Sequence, residues 1–177
     1  NIITLIPSGK DVSIINYDSF NIATPNNVHF NTNNGISVNK VINTGSDYAS
    51  KILGSITQEA NDNGTVFILN PNGFLFGANS SINVNNLHFS THSNAKFREN
   101  QSSDWNTDGT GIDISAGNEI RLETLGSGGI YLKGGAGNIF ASKNISFNSG
   151  GIYNAGKTVI APNIAFSTAD GQTYRII

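Results

Sequence analysis

The chain has no cysteine and no methionine, and it carries little charge for its 177 residues. Charged residues make up 12% of the sequence, well below the proportion of about a quarter that is usual in globular proteins. Small extracellular domains often depend on disulfides, so the lack of cysteine needs a reason. It fits a reducing cytosol. It equally fits export in an unfolded state, where a disulfide would make the chain too thick to thread through a pore.

Basic residues and long apolar runs are also scarce. Lys and Arg number 10 over the whole length, and the net charge is −2. Binding of nucleic acid through its phosphates needs a basic patch or stripe, so we expect no nucleic acid partner. No apolar run approaches the roughly 20 residues of a membrane-spanning helix, so we expect no integral membrane segment.

Asparagine and glycine, by contrast, are abundant, with 27 and 20 residues. Both favour turns over helices, because they compete with or weaken helical backbone bonding. Short apolar runs between turn residues, such as Val28-His29-Phe30, are typical of an all-β protein with many short strands. The best helical candidate is residues 47–56, where apolar side chains recur at i, i+4 spacing and Asp47 is available as a cap.

Several short motifs recur at a spacing near 20 residues. Ser-Gly-Gly-Ile-Tyr occurs at 127–131 and 149–153, an offset of 22. Asn-Ile-Ser-Phe-Asn at 144–148 is echoed by Asn-Ile-Ala-Phe-Ser at 163–167, an offset of 19, and by Asn-Leu-His-Phe-Ser at 86–90. This period predicts a parallel β-helix of roughly eight or nine coils, with inward apolar ladders and Asn ladders at the turns. A β-sandwich, the alternative, does not predict such a recurring motif.

Residues 96–111 break this rhythm. The segment is charged and rich in turn residues, and it holds the only Trp of the chain. We expect a loop or hairpin outside the helix, inserted between coils of a single domain that spans residues 1–177.

Paired carboxylates would be needed if the chain cleaved polysaccharides, as some β-helix proteins do. Glycoside hydrolysis places two carboxyl groups roughly 5–9.5 Å apart. The most suggestive pair is Glu119 and Glu123. On one strand these residues would lie about 13 Å apart, which is too far, although carboxylates from neighbouring coils could come closer. Solvated charges on an outer face explain them better, and we expect no catalytic residue.

Two candidate metal sites are weak. His88 and His92 have the spacing of a helical metal pair, but their surroundings alternate like a strand and no third ligand is evident, which favours polar surface residues. The segment from Asp104 through Asp108 begins like a calcium loop, but Ser115 stands where a bidentate Glu belongs. We therefore expect no metal and no cofactor.

The most specific pattern is the segment 63–91, which reads NGTVFILNPNGFLFGANSSINVNNLHFST. It closely resembles the secretion domain of two-partner-secreted exoproteins, the filamentous haemagglutinin family. The family signature Asn-Gly-x-Val-Phe-x-x-Asn-Pro-Asn-Gly-x-x-x-Gly falls on Asn63, Gly64, Val66, Phe67, Asn70, Pro71, Asn72, Gly73 and Gly77. Upstream, Asn39 matches the Asn of the family's Asn-Arg-Val segment, and Lys40 replaces its Arg.

The resemblance implies a right-handed parallel β-helix that forms the N-terminal part of a large Gram-negative exoprotein, such as an adhesin, a haemolysin or a contact-dependent inhibition toxin. The chain would cross the periplasm unfolded, and the POTRA domains of a partner outer-membrane transporter, TpsB, would recognise it. It would then fold outside the cell, where it would be secreted or held at the surface. The lack of cysteine fits this route.

The motif Asn70-Pro71-Asn72-Gly73 has a physical meaning of its own. Pro71 fixes its own φ and favours an extended Asn70, while the pair Asn72-Gly73 favours a tight turn between two apolar strands. Two roles stay open for these residues: contact with the transporter, or construction of a corner of the β-helix.

Two alternative functions also stay open. The domain could be an adhesive module in its own right, binding host cells or glycans through a polar surface of low charge. It could also be a polysaccharide-active enzyme, which requires at least two carboxylates in a groove.

Overall fold

The computed structural model describes residues 2–5, 12–95, 113–115, 119–125, 129–149, 151–167 and 174–176. Almost all regular structure in these residues is β-strand, and the single helix is a 3₁₀ turn at Ser46–Tyr48. In chain order the strands are β1 (Ile2–Leu5), β2 (Val12–Tyr17), β3 (Asn27–Phe30), β4 (Ile36–Val41), β5 (Ser50–Ile52), β6 (Ser55–Gln58), β7 (Thr65–Leu69), β8 (Phe74–Phe76), β9 (Ser81–Ser90), β10 (His92–Ala95), β11 (Asp113–Ser115), β12 (Glu119–Leu125), β13 (Ile130–Lys133), β14 (Ile139–Asn148), β15 (Ile152–Ala155), β16 (Val159–Ile160), β17 (Asn163–Ser167) and β18 (Tyr174–Ile176).

Parallel pairing arranges most of these strands on three faces of a β-helix. Face 1 consists of β1, β3, β6, the first half of β9, the first half of β14, and β16. Face 2 consists of β2, β4, β7, the second halves of β9 and β14, and β17. Face 3 consists of β5, β8, β13, β15 and β18, and Ile22 adds an isolated bridge to it. The chain visits the faces in the order 1, 2, 3, so each passage is one coil and the predicted parallel β-helix is confirmed.

The recurring motifs of the sequence are stacked rungs of this helix. Tyr131 pairs with Tyr153, which reproduces the offset of 22, and Asn144 pairs with Asn163, which reproduces the offset of 19. The coils before them are longer, since Asn27 pairs with Ser55, 28 residues further on. The described residues therefore form six coils, and the expectation of eight or nine was wrong because it applied the short period of the last coils to the whole chain.

The helix predicted at residues 47–56 is also wrong. Only the short 3₁₀ turn forms there, and the chain then enters β5 and β6. In β5, Ser50 and Ile52 are buried and Lys51 is exposed, and the strand pairs with β8. The alternation of buried and exposed side chains on a paired strand, a tertiary effect, overrides the local i, i+4 pattern.

Aromatic and amide ladders hold successive coils together. Phe89, Phe147 and Phe166 stack on face 2, with ring centroids 5.7 Å and 5.2 Å apart and rings within 10° of parallel. Beside them, Asn144 Nδ2 donates to Asn86 Oδ1 and Asn163 Nδ2 donates to Asn144 Oδ1, both at 2.9 Å. The predicted stacking of Asn amides along the axis is therefore confirmed.

A long insertion lies within the fourth coil, between β9 on face 2 and β13 on face 3. Ile82 on β9 pairs with Ile139 on β14, 57 residues further on. Between them, β10, β12 and β11 form a separate antiparallel sheet in that order. The loop or hairpin predicted at residues 96–111 lies outside the described residues and stays a prediction.

Candidate functional site: the Asn-Pro-Asn-Gly corner

The motif Asn70-Pro71-Asn72-Gly73 forms the corner between β7 on face 2 and β8 on face 3. Gly73 N donates to Asn70 O at 3.0 Å, which closes a β-turn with Pro71 in its second position. The positive φ of the turn falls on Gly73, at 102°, and not on Asn72. β7 pairs with β4 and β9, while β8 pairs with β5 and β13. The turn therefore moves the chain from one face to the next and does not form a hairpin.

Asn70 is fully buried, and its amide joins this corner to the coil below. Its Nδ2 donates to Tyr48 O and to Ser50 Oγ, both at 2.8 Å. Its Oδ1 accepts from Asn72 N at 2.9 Å, which shapes the turn locally. A buried amide with its donors and acceptor all engaged adds specificity, because any other side chain would leave these groups unpaired.

Asn72 is half-buried, and its side chain forms hydrogen bonds with the loop that precedes the 3₁₀ turn. Its Nδ2 donates to Asn43 O at 2.7 Å, and its Oδ1 accepts from Gly45 N at 2.8 Å. Pro71 and Gly73 are buried beside it. All four motif residues thus have a structural use in the folded corner, and none has a wholly exposed side chain.

Two further signature residues, Val66 and Phe67, lie on opposite sides of β7. Val66 is in the core, whereas the Phe67 ring stacks on His88 with centroids 4.6 Å apart. Burial lowers the pKa of His88 to about 4. The interpretation of His88 as a polar surface residue is therefore wrong, since it is a neutral, largely buried imidazole. The side chain of His92 lies outside what the structure describes.

Gly64 and Asp62, two residues before it, belong to a buried set of hydrogen bonds around the Asp62 carboxylate, which we call the clasp. The clasp was not predicted from the sequence. A Cβ on Gly64 would lie 1.8 Å from Thr32 Oγ1, so only glycine fits. The Asp62 carboxylate is 4% exposed and accepts from Thr32 N and Oγ1, from Asn34 N at 2.9 Å and from Gly64 N at 3.0 Å. Burial raises the pKa of Asp62, but these hydrogen bonds outweigh it and hold the pKa below its ordinary value. The turn sequence Asp-Asn-Gly was the available signal.

Asn39 bonds to the coils on either side of its own, and Asn63 bonds across an intervening coil. Asn63 is exposed, and its Oδ1 accepts from Lys143 Nζ at 2.9 Å. Asn39 is buried, donates to Phe67 O at 3.2 Å and accepts from Tyr17 OH at 3.0 Å. Burial raises the pKa of Tyr17 to about 12, so the phenol stays a donor at neutral pH.

Gly77, the last residue of the signature, accepts a hydrogen bond from a second buried charged residue, Lys157. This contact was not predicted from the sequence either. Lys157 is 3% exposed, and its Nζ donates to the backbone oxygens of Gly77, Ala78 and Ser80 at 3.1, 3.2 and 2.7 Å. Burial lowers its pKa to about 8. Lys157 and Asn70 therefore brace the two ends of β8 against other coils.

The described residues offer little for metal binding or carboxylate catalysis. They contain no group of three or more His, Cys, Asp or Glu side chains that could hold a metal ion. Glu119 and Glu123 lie on the same strand, β12, of the antiparallel sheet. The calcium-like segment falls mostly outside the described part of the chain. The 3₁₀ turn, the sole helix of the described part, is far too short to cross a membrane.

A parallel β-helix is the architecture that the resemblance implied. In a comparison with protein-family models, the TPS secretion domain matches residues 2–174. The chain belongs to the TPS secretion-domain family. No curated protein and no solved structure matched it in the parallel searches.

Family membership defines the class of function. A TPS domain is the secretion-targeting region of an exoprotein of the two-partner secretion system, and its general partner is a TpsB transporter of the outer membrane. The family is a secretion-domain family and not a known family of enzymes.

Proposed function

We propose that the POTRA domains of the transporter bind this chain while it is unfolded and extended, and that the chain folds into the β-helix only after export. The segment 63–77 carries the recognition, with Asn70 and Asn72 as its main polar contacts. The exoprotein is then secreted or displayed at the cell surface as an adhesin, a haemolysin or a contact-dependent inhibition toxin.

The burial of the motif is the observation that supports this order of events. In the folded corner the Asn70 amide is fully buried, and the Asn72 amide is bonded to Asn43 and Gly45. A transporter that binds these amides must do so before the corner closes. Folding therefore competes with transporter binding, and a folded domain has no exposed motif with which to rebind.

An experiment on an unfolded segment distinguishes the two roles of the motif, transporter recognition and construction of the β-helix corner. A synthetic peptide of residues 60–80 has no coil below it to bond with, so its affinity for the isolated POTRA domains reports recognition alone. We expect the combined replacement of Asn70 and Asn72 by Ala to weaken binding about tenfold or more, since each amide offers hydrogen bonds to a partner. A matched control peptide carries Thr65→Ala on the neighbouring strand.

The same replacements in the full chain test secretion. We expect the variant to accumulate in the periplasm of cells that express the partner transporter, while Thr65→Ala is exported normally. Unchanged peptide affinity together with normal secretion would refute the proposal. Unchanged peptide affinity with failed secretion would assign the motif to folding alone.

The enzyme alternative receives no support from the described residues. A groove on the outer surface of the described residues is lined by one carboxylate, Glu59, and the nearby Asp62 is fully engaged in its buried hydrogen bonds. The pair of carboxylates that glycoside hydrolysis needs is not assembled there. The adhesive alternative has a candidate surface in this same groove.

A further inference from the structure

A groove of about 370 Å³ lies on the outside of face 1, away from the Asn-Pro-Asn-Gly corner. Its walls come from three successive coils, through His29 on β3, Thr57 on β6 and Asn83 on β9, and from the turn that follows β6. The side chains of paired residues on adjacent parallel strands point to the same side of a sheet, so these three form one outward column. We propose that this groove binds a neutral oligosaccharide.

The base of the groove is held rigid by side chains that bond to one another. Gln58 Oε1 accepts from Asn85 N at 2.9 Å, and Gln58 Nε2 donates to Gly64 O at 3.1 Å. Asn85 also accepts from Ser142 Oγ, which joins β9 to β14. A base that is already ordered loses little conformational entropy when a ligand binds.

The rim offers groups that match sugar hydroxyls. Within the described residues, the amides of Asn61 and Asn83 form no side-chain hydrogen bond, and an amide can both donate to and accept from a hydroxyl. The Glu59 carboxylate is half exposed and lies 3.3 Å from His29 Nε2, which fixes its position. A carboxylate can accept from two neighbouring hydroxyls of one sugar ring at once.

An exposed aromatic ring extends the column past the polar groups. Phe140 pairs with Asn83 and Ile160 pairs with Phe140, so the apolar pair lies one and two strands beyond Asn83, at about 4.8 Å per strand. Phe140 is 42% exposed and Ile160 is 49% exposed, so the two form an apolar surface beside the polar groups. A pyranose ring has hydroxyls at its edge and C–H groups on its face, and it can satisfy both parts of this surface.

The groove has no excess of positive charge, which argues against anionic ligands. Its only ionisable lining residues are His29 and Glu59, which contact each other. Phosphorylated, sulfated or nucleic acid ligands need an excess of positive charge that the groove does not provide. A peptide ligand remains as an outcome for the experiment to detect.

Titration of the ¹⁵N-labelled 177-residue chain with chitohexaose, cellohexaose and maltohexaose tests the proposal. We expect at least one of these neutral hexasaccharides to shift amide resonances of β3, β6 and β9, with a dissociation constant of about 0.1–5 mM, as suits a small open groove. Asn83→Ala and Phe140→Ala should each weaken binding about tenfold. Tyr131→Ala is the matched control, since Tyr131 is a comparably exposed aromatic residue on face 3.

Several results would overturn the proposal. These are no resonance shift with any of the three probes up to about 10 mM, equal weakening by Tyr131→Ala, tighter binding of a sulfated hexasaccharide, or a shift produced only by a peptide. Circular dichroism of each variant checks that the β-helix is intact. The variants leave residues 63–77 unchanged, so secretion should be normal and the result is independent of the proposed secretion function.

Discussion

The buried clasp at Asp62 yields a quantitative prediction about stability. In Asp62→Asn, one amide oxygen can still accept from Asn34 N and Gly64 N, but an NH₂ group replaces the oxygen that accepts from Thr32 N. Two donors then face each other in a buried site. A hydrogen bond to a charged group contributes about 1.5–3 kcal/mol, so we expect the free energy of unfolding to fall by about 3 kcal/mol.

The loss should be visible in thermal unfolding followed by circular dichroism. For a domain of this size, 1 kcal/mol corresponds to about 2–4 °C, so the melting temperature should fall by about 6–12 °C. Asp18→Asn, at an exposed aspartate, is the control and should change it little. A fall of less than about 1 °C in Asp62→Asn would refute the account of the clasp.

The pH dependence provides a second test of the same clasp. Because the folded pKa of Asp62 lies below its unfolded value of about 3.9, the carboxylate stabilises the fold fully above that pH. The contribution is lost as pH falls through the lower, folded pKa. The difference in stability between the wild type and Asp62→Asn should therefore shrink in acid. A constant difference from neutral pH to about pH 2 would contradict this reasoning.

Other contacts give three further predictions. Phe147→Ala should lower the free energy of unfolding in urea by about 3–5 kcal/mol, because it empties the middle of an aromatic stack, and an effect below about 1 kcal/mol would contradict that packing. Gly64→Ala should lower the free energy of unfolding by about 2–3 kcal/mol. Gly129→Ala, whose Cβ would lie 3.3 Å from its nearest neighbour, should lower it much less. Equal losses of stability in the two variants would refute the steric argument. Burial lowers the pKa of Lys157 to about 8, so wild-type stability should rise between about pH 8 and the unfolded value near 10.4, and Lys157→Met should lack that rise.

The coil architecture could be predicted from the sequence because its signal is repetitive and local. The offsets of the recurring motifs equal the register of the strands that carry them, at Tyr131 with Tyr153 and at Asn144 with Asn163. The length of the earlier coils could not be predicted, since their turns vary and no motif repeats in them. The strand at Ser50–Ile52 was mistaken for helix because its partner β8 lies more than 20 residues away.

The candidate site could be predicted only in part. The turn at Asn70-Pro71-Asn72-Gly73 follows from local residue preferences, and Gly73 N bonds to Asn70 O as such a turn requires. The burial of Asp62 and Lys157 could not be predicted, because their partners are mostly backbone groups. The turn sequence Asp62-Asn63-Gly64 indicated a turn there but not its buried carboxylate. Lys157 binds three carbonyl oxygens about 80 residues away, and no residue type marks a carbonyl as a partner.

The side-chain bonds of the corner all point back along the chain. Asn70 and Asn72 bond to Asn43, Gly45, Tyr48 and Ser50, each of which precedes them in the sequence. On the proposed export route, with the N-terminal end emerging first, these partners would already be outside by the time residue 73 appears. The side chains of the corner can then bond to a finished coil, while the backbone N of Asn70 waits for its downstream partner, Ser90 O. On the proposed route, each such closure would make backward sliding costly, because these hydrogen bonds would have to break first.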